Sequence, residues 1–273
     1  YSPNIFGNNG STSVVDSTAL DEFNYFWYCC KERGIYIDMV MLGGRYGSTL
    51  KSVGSFTDEE ISDISSGFKF ETYIDSRLVD ETKRLVKEVM TTTNKYTGTT
   101  LAEDKALALM EVANENNLTD MYGYYISSEQ YEFVSDSYKS MFQNRFNEWL
   151  LKLYGSNDAL KEAWKDKTGA GLVGLSRKEN CEDGTVLISQ NYLGADYTAQ
   201  RINDTFRFLY ELQVNYYDDM YNWAKGSDGL NLHVGLCGTT NLPTGDLNDL
   251  YVNAAYDYIA RHYYKSHPTT GTE

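Results

Sequence analysis

The chain has 273 residues, with 24 Lys plus Arg against 39 Asp plus Glu, a formal net charge of -15, and 14% aromatic residues including 24 Tyr. That length holds one large domain or two small ones and enough apolar residues for a core. The acidic balance sets the surface against phosphate backbones and anionic lipid, which excludes nucleic acid and membrane surfaces as expected partners. No apolar run nears the roughly 18 residues needed to span a bilayer.

In chain order, Leu20, Phe23, Phe26, Trp27 and Cys30 recur at spacings of three and four, which predicts a helix over 19–33 with one buried face. Gly34 ends it. The nearly continuous apolar run Ile35 to Leu42 predicts a strand buried on both faces, followed by a turn at Gly43-Gly-Arg-Tyr-Gly47. The pattern repeats: a helix over 74–90 (Leu78, Leu85, Val86, Val89) leads to a strand over 106–113. A third copy runs from a helix over 205–224 to a strand over 232–237. In a fourth, a short element over 247–253 precedes a strand over 256–264. Alternating helices and buried parallel strands predict an α/β protein, either a barrel or a doubly wound sheet.

Between the second and third strands lie far more residues than an ordinary crossover of roughly 10 to 15 needs. Amphipathic helices around Met141 to Leu153 and up to Trp164 mark residues 119–202 as a helical insertion. Phe26, Trp27 and Trp149 fall on helical stripes and read as core, and Cys29 and Cys30 read as small packing residues. The four cysteines have no CxxC spacing, and His233, His262 and His267 form no HExxH pair, so neither a protein-bound metal nor a cofactor is expected. No GxGxxG or GxxxxGK[ST] follows a strand, which argues against a nucleotide-binding sheet.

Chemistry concentrates at Met110-Glu-Val-Ala-Asn-Glu-Asn116, where a hydrophobic strand ends in an Asn and a carboxylate. The C-terminal ends of parallel strands are where α/β proteins place active-site groups. The alternative is that Asn114 and Glu115 simply begin a solvated turn. Residues 106–116 resemble the fourth-strand signature of clan A glycoside hydrolases, in which an Asn-Glu pair ends the strand. Asn94-Lys-Tyr-Thr-Gly-Thr-Thr-Leu-Ala-Glu-Asp104 is similar to the preceding loop of family 5, cellulase-like members, with Lys105 standing where those usually have Pro. Lys31-Glu-Arg-Gly-Ile-Tyr-Ile37, Trp149 to Gly155, Ala159 to Trp164 and Arg261-His-Tyr-Tyr264 resemble further segments of the same clan, in the same order.

The resemblance implies a (β/α)8 barrel of which these strands are about the third to sixth, within a catalytic domain over 1–273 that is incomplete at both ends; the chain opens on Tyr1 rather than Met. It also implies hydrolysis of a β-linked oligo- or polysaccharide with retention of configuration. Glu115 would be the general acid/base and Asn114 would contact the sugar hydroxyl beside the reacting carbon. His262 and Tyr264 would line the cleft. Arg45 and Asn241, just past their strands, are further substrate contacts on the same basis. A retaining pair needs carboxylates about 5 to 5.5 Å apart. Glu111, four residues before Glu115, is about 13 Å away along a strand, too far to attack. Glu111 is expected instead inside the barrel, with a partner such as an arginine, and the nucleophile is expected beyond Glu273. A polymer substrate favours an extracellular or cell-surface setting. The competing reading is a carbohydrate-binding pseudoenzyme that has the cleft without hydrolysis.

Overall fold

A computed structural model describes residues 15–42, 55–66, 70–118, 134–188, 196–241 and 247–262. The first helix, α1 (Ser17–Glu32), is capped by Asp16, whose carboxylate accepts from the amides of Thr18 and Ala19 at 2.9 and 3.0 Å. It ends at Gly34, whose φ of 68° lets the Ile35 amide turn back onto the Cys30 carbonyl. Leu20, Phe23, Trp27 and Cys30 are buried as the periodicity predicts. Phe26 is 37% exposed, a correction to its placement in the core: it lies beside the buried stripe rather than on it. Trp149 is only partly buried, and Cys29 is half-buried while Cys30 is buried.

Strand β1 (Ile37–Leu42) is followed by α2 (Asp58–Ser66) and a single 3-10 turn, Phe70–Tyr73; the hydrophobic pattern signals neither of these last two. Asp75 then caps α3 (Ser76–Thr91), whose buried face carries Leu78, Leu85, Val86, Val89 and Met90. The loop into β2 (Leu107–Ala113) is fixed by its polar residues. Asn94 Oδ1 accepts the Tyr96 amide and its Nδ2 donates to the Asn24 carbonyl, while Asp104 receives Lys31, Thr99 and the Ala106 amide.

Helices α4 (Asp136–Tyr154) and α5 (Asn157–Ala163) follow, and then α6 (Ala199–Lys225), 27 residues long. α6 begins six residues before the predicted helix, so residue 202 lies inside it. Its first half holds the preceding segment: Phe208 packs on Phe146 with ring centroids 5.1 Å apart, and the Trp164 indole donates to Asp204. Arg201, 2% exposed, forms a fork onto Glu179 at 2.7 and 2.8 Å. Its second half packs with α3 and the outer side of the sheet, where Met110 and Val112 are buried.

Strands β3 (Gly235–Cys237) and β4 (Thr239–Asn241) are consecutive pieces of one stretch separated by Gly238, and after α7 (Leu247–Ala254) comes β5 (Ala260–His262). β1, β2 and β3 pair in that order and β4 pairs with β5, all in parallel. The result is a helix-and-strand fold around a small parallel sheet. The third and fourth strands are shorter than the sequence pattern suggests, because residues 232–234 and 256–259 join no ladder.

Candidate functional site

Register decides which side chains meet. Val40 pairs with Glu111 and Glu111 with Cys237, while Asp38 pairs with Leu109, so Asp38, Glu111 and Cys237 share the face opposite the helices. Asn241 pairs with His262 at the C-terminal ends of β4 and β5. Two residues beyond β2, Glu115 takes φ 48°, one of two described non-glycine residues with positive φ. The left-handed backbone turns the chain sharply where the strand stops, a conformation that costs on the order of 1 kcal/mol or more outside glycine and must be held by its surroundings.

Those surroundings are a buried polar buttress immediately after Glu115. Tyr73 and Tyr217 both donate their hydroxyls to the carbonyl of Asn116, and Asn116 Nδ2 donates to Thr72 Oγ1. The amide of Leu118 donates to Gln213 Oε1, Gln213 donates on to Asp249, and Asn253 donates to Asp249 as well. Burial pushes the Tyr73 and Tyr217 phenols well above their ordinary value, so both remain donors. The turn is thus tied to the 3-10 turn, α6 and α7 at once. The apolar periodicity places Tyr216 on the buried stripe of α6, but it gives no sign that its neighbour Tyr217 would reach a carbonyl 101 residues away.

At the head of this turn the imidazole Nδ1 of His262 lies 2.7 Å from Glu115 Oε1, with both side chains about one quarter exposed. Asn114 is half-buried beside it. Of the other candidates, Asn241 is placed by its backbone in β4, level with His262. Arg45 and Tyr264 fall outside the described residues.

Beneath the turn, Glu111 is buried and hydrogen-bonds the carboxyl of Asp38. Asp38 is exposed as a residue, and its carboxyl is partly desolvated. That desolvation, then the charge of Glu111 and the bond to it, hold the Asp38 carboxyl up at about 6, against weaker opposition from Tyr258 and His262. Tyr258 crosses the same face and donates to the Met110 carbonyl at 3.2 Å. The sequence pattern foresees the position of Glu111; Asp38, at an alternating position in an apolar strand, is the partner it leaves unmarked. Among the described residues, no group of three or more His, Cys, Asp or Glu side chains is arranged to hold a metal ion.

No family model matches the chain, and no curated protein does. Two solved structures are similar to it. One is an endo-β-1,4-mannanase from Thermotoga petrophila, 15% identical, matched over 86% of this chain and 49% of that one with a TM-score of 0.30. The other is a hyperthermostable endo-1,4-β-D-mannanase from Thermotoga petrophila RKU-1 with maltose and glycerol, 14% identical, over 95% and 72%, with a TM-score of 0.31. The chain spans about half the length of the first.

Proposed function

We propose that the chain carries the acid/base side of a retaining glycoside hydrolase acting on a β-linked oligo- or polysaccharide. The observation that carries this reading is the contact between Glu115, just past the C-terminal end of β2, and His262, at the C-terminal end of β5, two strands with the 235–241 stretch between them. In the first step Glu115 donates its proton to the glycosidic oxygen as that bond breaks, while a second carboxylate attacks the anomeric carbon. In the second step Glu115, now ionised, takes a proton from water as the water displaces the enzyme carboxylate. The attacking carboxylate in this reading comes from outside the described residues, because Glu111 lies four residues down the strand from Glu115 and is engaged with Asp38.

In the same reading the successive parallel neighbours β1, β2, the 235–241 stretch and β5 are four staves of a (β/α)8 barrel, and the insertion on the loop beyond Glu115, expected over 119–202, ends before α6 begins at Ala199. Asn114, Asn241, Arg45 and Tyr264 are the substrate contacts this barrel would bring to its rim.

The test is Glu115→Gln in the full-length protein, assayed on β-mannan, β-glucan, xylan and aryl β-glycosides. Loss of a general acid lowers turnover about 10²- to 10⁴-fold on substrates with poor leaving groups and much less on activated aryl glycosides. Turnover unchanged on both kinds removes Glu115 from the mechanism. Sugar binding by the wild type without hydrolysis of any of them replaces the enzyme with a carbohydrate-binding protein.

A further inference from the structure

We propose that the 3-10 turn Phe70–Tyr73 is a pH-sensitive latch on the turn that carries Glu115: it stays closed while Glu71 is protonated and opens when Glu71 ionises, releasing Asn116. Its effect on hydrolysis rests on the reading of Glu115 given above; the latch itself does not.

The side chain that works the latch has nowhere to put a charge. Glu71 is 0% exposed, and among the described residues its carboxyl oxygens have no hydrogen-bond partner beyond its own backbone amide. The groups around it are acids and phenols: Asp63 from α2, Asp75 from the cap of α3, and Tyr138 from α4. Asp63 accepts the Ser135 amide at 2.8 Å, and Asp75 accepts the Tyr138 hydroxyl at 3.1 Å. Arg77, the guanidinium that joins this cluster, is committed to Asp75 and Glu60 at 2.7 and 3.0 Å. Helix α6 meets the turn at Tyr73, where the rings of Tyr216 and Tyr217 lie 5.0 and 6.5 Å away. Burial pushes the Tyr138, Tyr73 and Tyr217 phenols upward, so all three stay neutral. A carboxylate ionised in such a place has neither a counter-charge nor solvating donors, so the group keeps its proton or leaves.

The same short turn holds the segment after Glu115. Thr72 Oγ1 accepts from Asn116 Nδ2 at 3.4 Å, and the Tyr73 hydroxyl donates to the Asn116 carbonyl at 2.5 Å. Thr72 and Tyr73 directly follow Glu71, whose own carbonyl accepts the amides of Ile74 and Asp75 at 3.1 and 2.8 Å. Because Glu71 is enclosed, bringing its carboxylate to water takes the turn with it, and Thr72 and Tyr73 come off Asn116. A 3-10 turn has poorer hydrogen-bond geometry than the helices on either side, so it yields first.

Burial, and then the charges of Asp63 and Asp75, hold the carboxyl of the closed turn up at about 8, whereas in water it returns to 4.5. Below 4.5 both forms carry the proton and the closed turn has its full advantage. Between 4.5 and about 8 only the closed turn does, so each pH unit shifts the balance about tenfold toward the open one, and the latch opens where that shift has cancelled the advantage.

The test is amide hydrogen exchange from about pH 5 to about pH 9, read by NMR as protection factors in the wild type and in Glu71→Gln. In the wild type the amides of Ile74 and Asp75 should lose about tenfold in protection per pH unit within that window, and in Glu71→Gln they should hold it. The amides of Val173 and Thr198, bonded to the carbonyls of Asp196 and Val173 in another part of the fold, should stay constant in both proteins. Constant protection of Ile74 and Asp75 in the wild type overturns the latch, whether or not the variant folds. Equal loss at all four amides also overturns it, because Glu71 then acts only on unfolding of the whole. Turnover supplies the second arm: it should fall in the wild type as the latch opens, while Glu71→Gln keeps its low-pH turnover further up the window. Local opening with the same pH profile of hydrolysis in both proteins overturns the link to Glu115. Opening in a protein that hydrolyses no glycoside leaves the latch standing and removes the reading of Glu115 instead.

Discussion

The imidazole Nδ1 of His262 reaches Glu115 Oε1 at 2.7 Å across 147 residues of chain, so a polar contact joins the two strand ends. Both side chains are only about one quarter exposed, which keeps the contact partly shielded from water and strengthens it. Replacing His262 by Ala removes this hydrogen-bonding partner from the Glu115 carboxyl. Turnover on substrates with poor leaving groups is expected to drop about 10²-fold, the lower end of a general acid/base effect, with little change in thermal stability. His262→Gln, which retains a hydrogen-bonding side chain, should recover part of the loss. Steady-state kinetics and melting curves check both, and full activity in His262→Ala would sink a functional role for the contact.

The carbonyl of Asn116 has two lone pairs and two hydroxyl donors, Tyr73 and Tyr217. Removing one donor leaves the carbonyl still bonded, so Tyr73→Phe and Tyr217→Phe should each cost about 1 kcal/mol. Removing both strands a buried carbonyl, and the pair of substitutions should cost more than their sum, on the order of 1 kcal/mol more. Urea unfolding of the four proteins measures the coupling. Strict additivity would mean that water or another donor replaces the hydroxyls.

Much of the scaffold was legible because it is written in apolar periodicity. The helices from Leu20 to Cys30 and from Leu78 to Met90, and the strand ending at Ala113, appear within a few residues of where the spacing puts them. The Asn114-Glu115 tip was legible for a different reason, since polar residues directly after a buried strand stand out. The contact between Glu115 and His262 was not, because register between distant strands leaves no local trace. Asp38 was hidden for the same reason: in sequence it interrupts an apolar run, and only the pairing of β1 with β2 brings it to Glu111. Helix α2 and the 3-10 turn at Phe70–Tyr73 carry few apolar residues at helical spacing, and their order comes from capping and tertiary contacts. One example is the Thr57 amide donating to Glu60 while Thr57 Oγ1 accepts the Glu60 amide.

Glu71 in that 3-10 turn is fully buried, and among the described residues its carboxylate oxygens have no hydrogen-bond partner beyond its own backbone amide. Burial, reinforced by the charges of Asp63 and Asp75, raises its carboxyl from 4.5 to about 8. The unfolded chain loses this proton above about 4.5 while the folded protein keeps it to about 8, so Glu71 makes stability fall as the pH climbs through that window and level off above it. Glu71→Gln removes the titration. The variant should match the wild type near pH 4.5 and exceed it by on the order of 2 to 4 kcal/mol at pH 8. Urea denaturation at both pH values gives the answer, and an equal difference at the two would show that Glu71 does not carry the dependence.

Gly238 joins β3 to β4 where a side chain has no room. A Cβ there would lie 2.6 Å from Tyr217 Cε1 and 2.8 Å from Asn253 Oδ1. Both neighbours are committed: Tyr217 to the carbonyl of Asn116, and Asn253 through its amide to Asp249. Neither ring nor amide can yield without loosening the turn that follows Glu115, so the strain of Gly238→Ala should appear at the site as well as in the core. The substitution is expected to cost about 1 to 3 kcal/mol, the range for overpacking a filled interior. It should also lower turnover, whereas Gly169→Ala, in an open loop with nothing within 4 Å of the added carbon but at φ 74°, should cost about 1 kcal/mol of stability and leave turnover unchanged. If Gly238→Ala loses stability with turnover intact, Tyr217 is not a support for the turn.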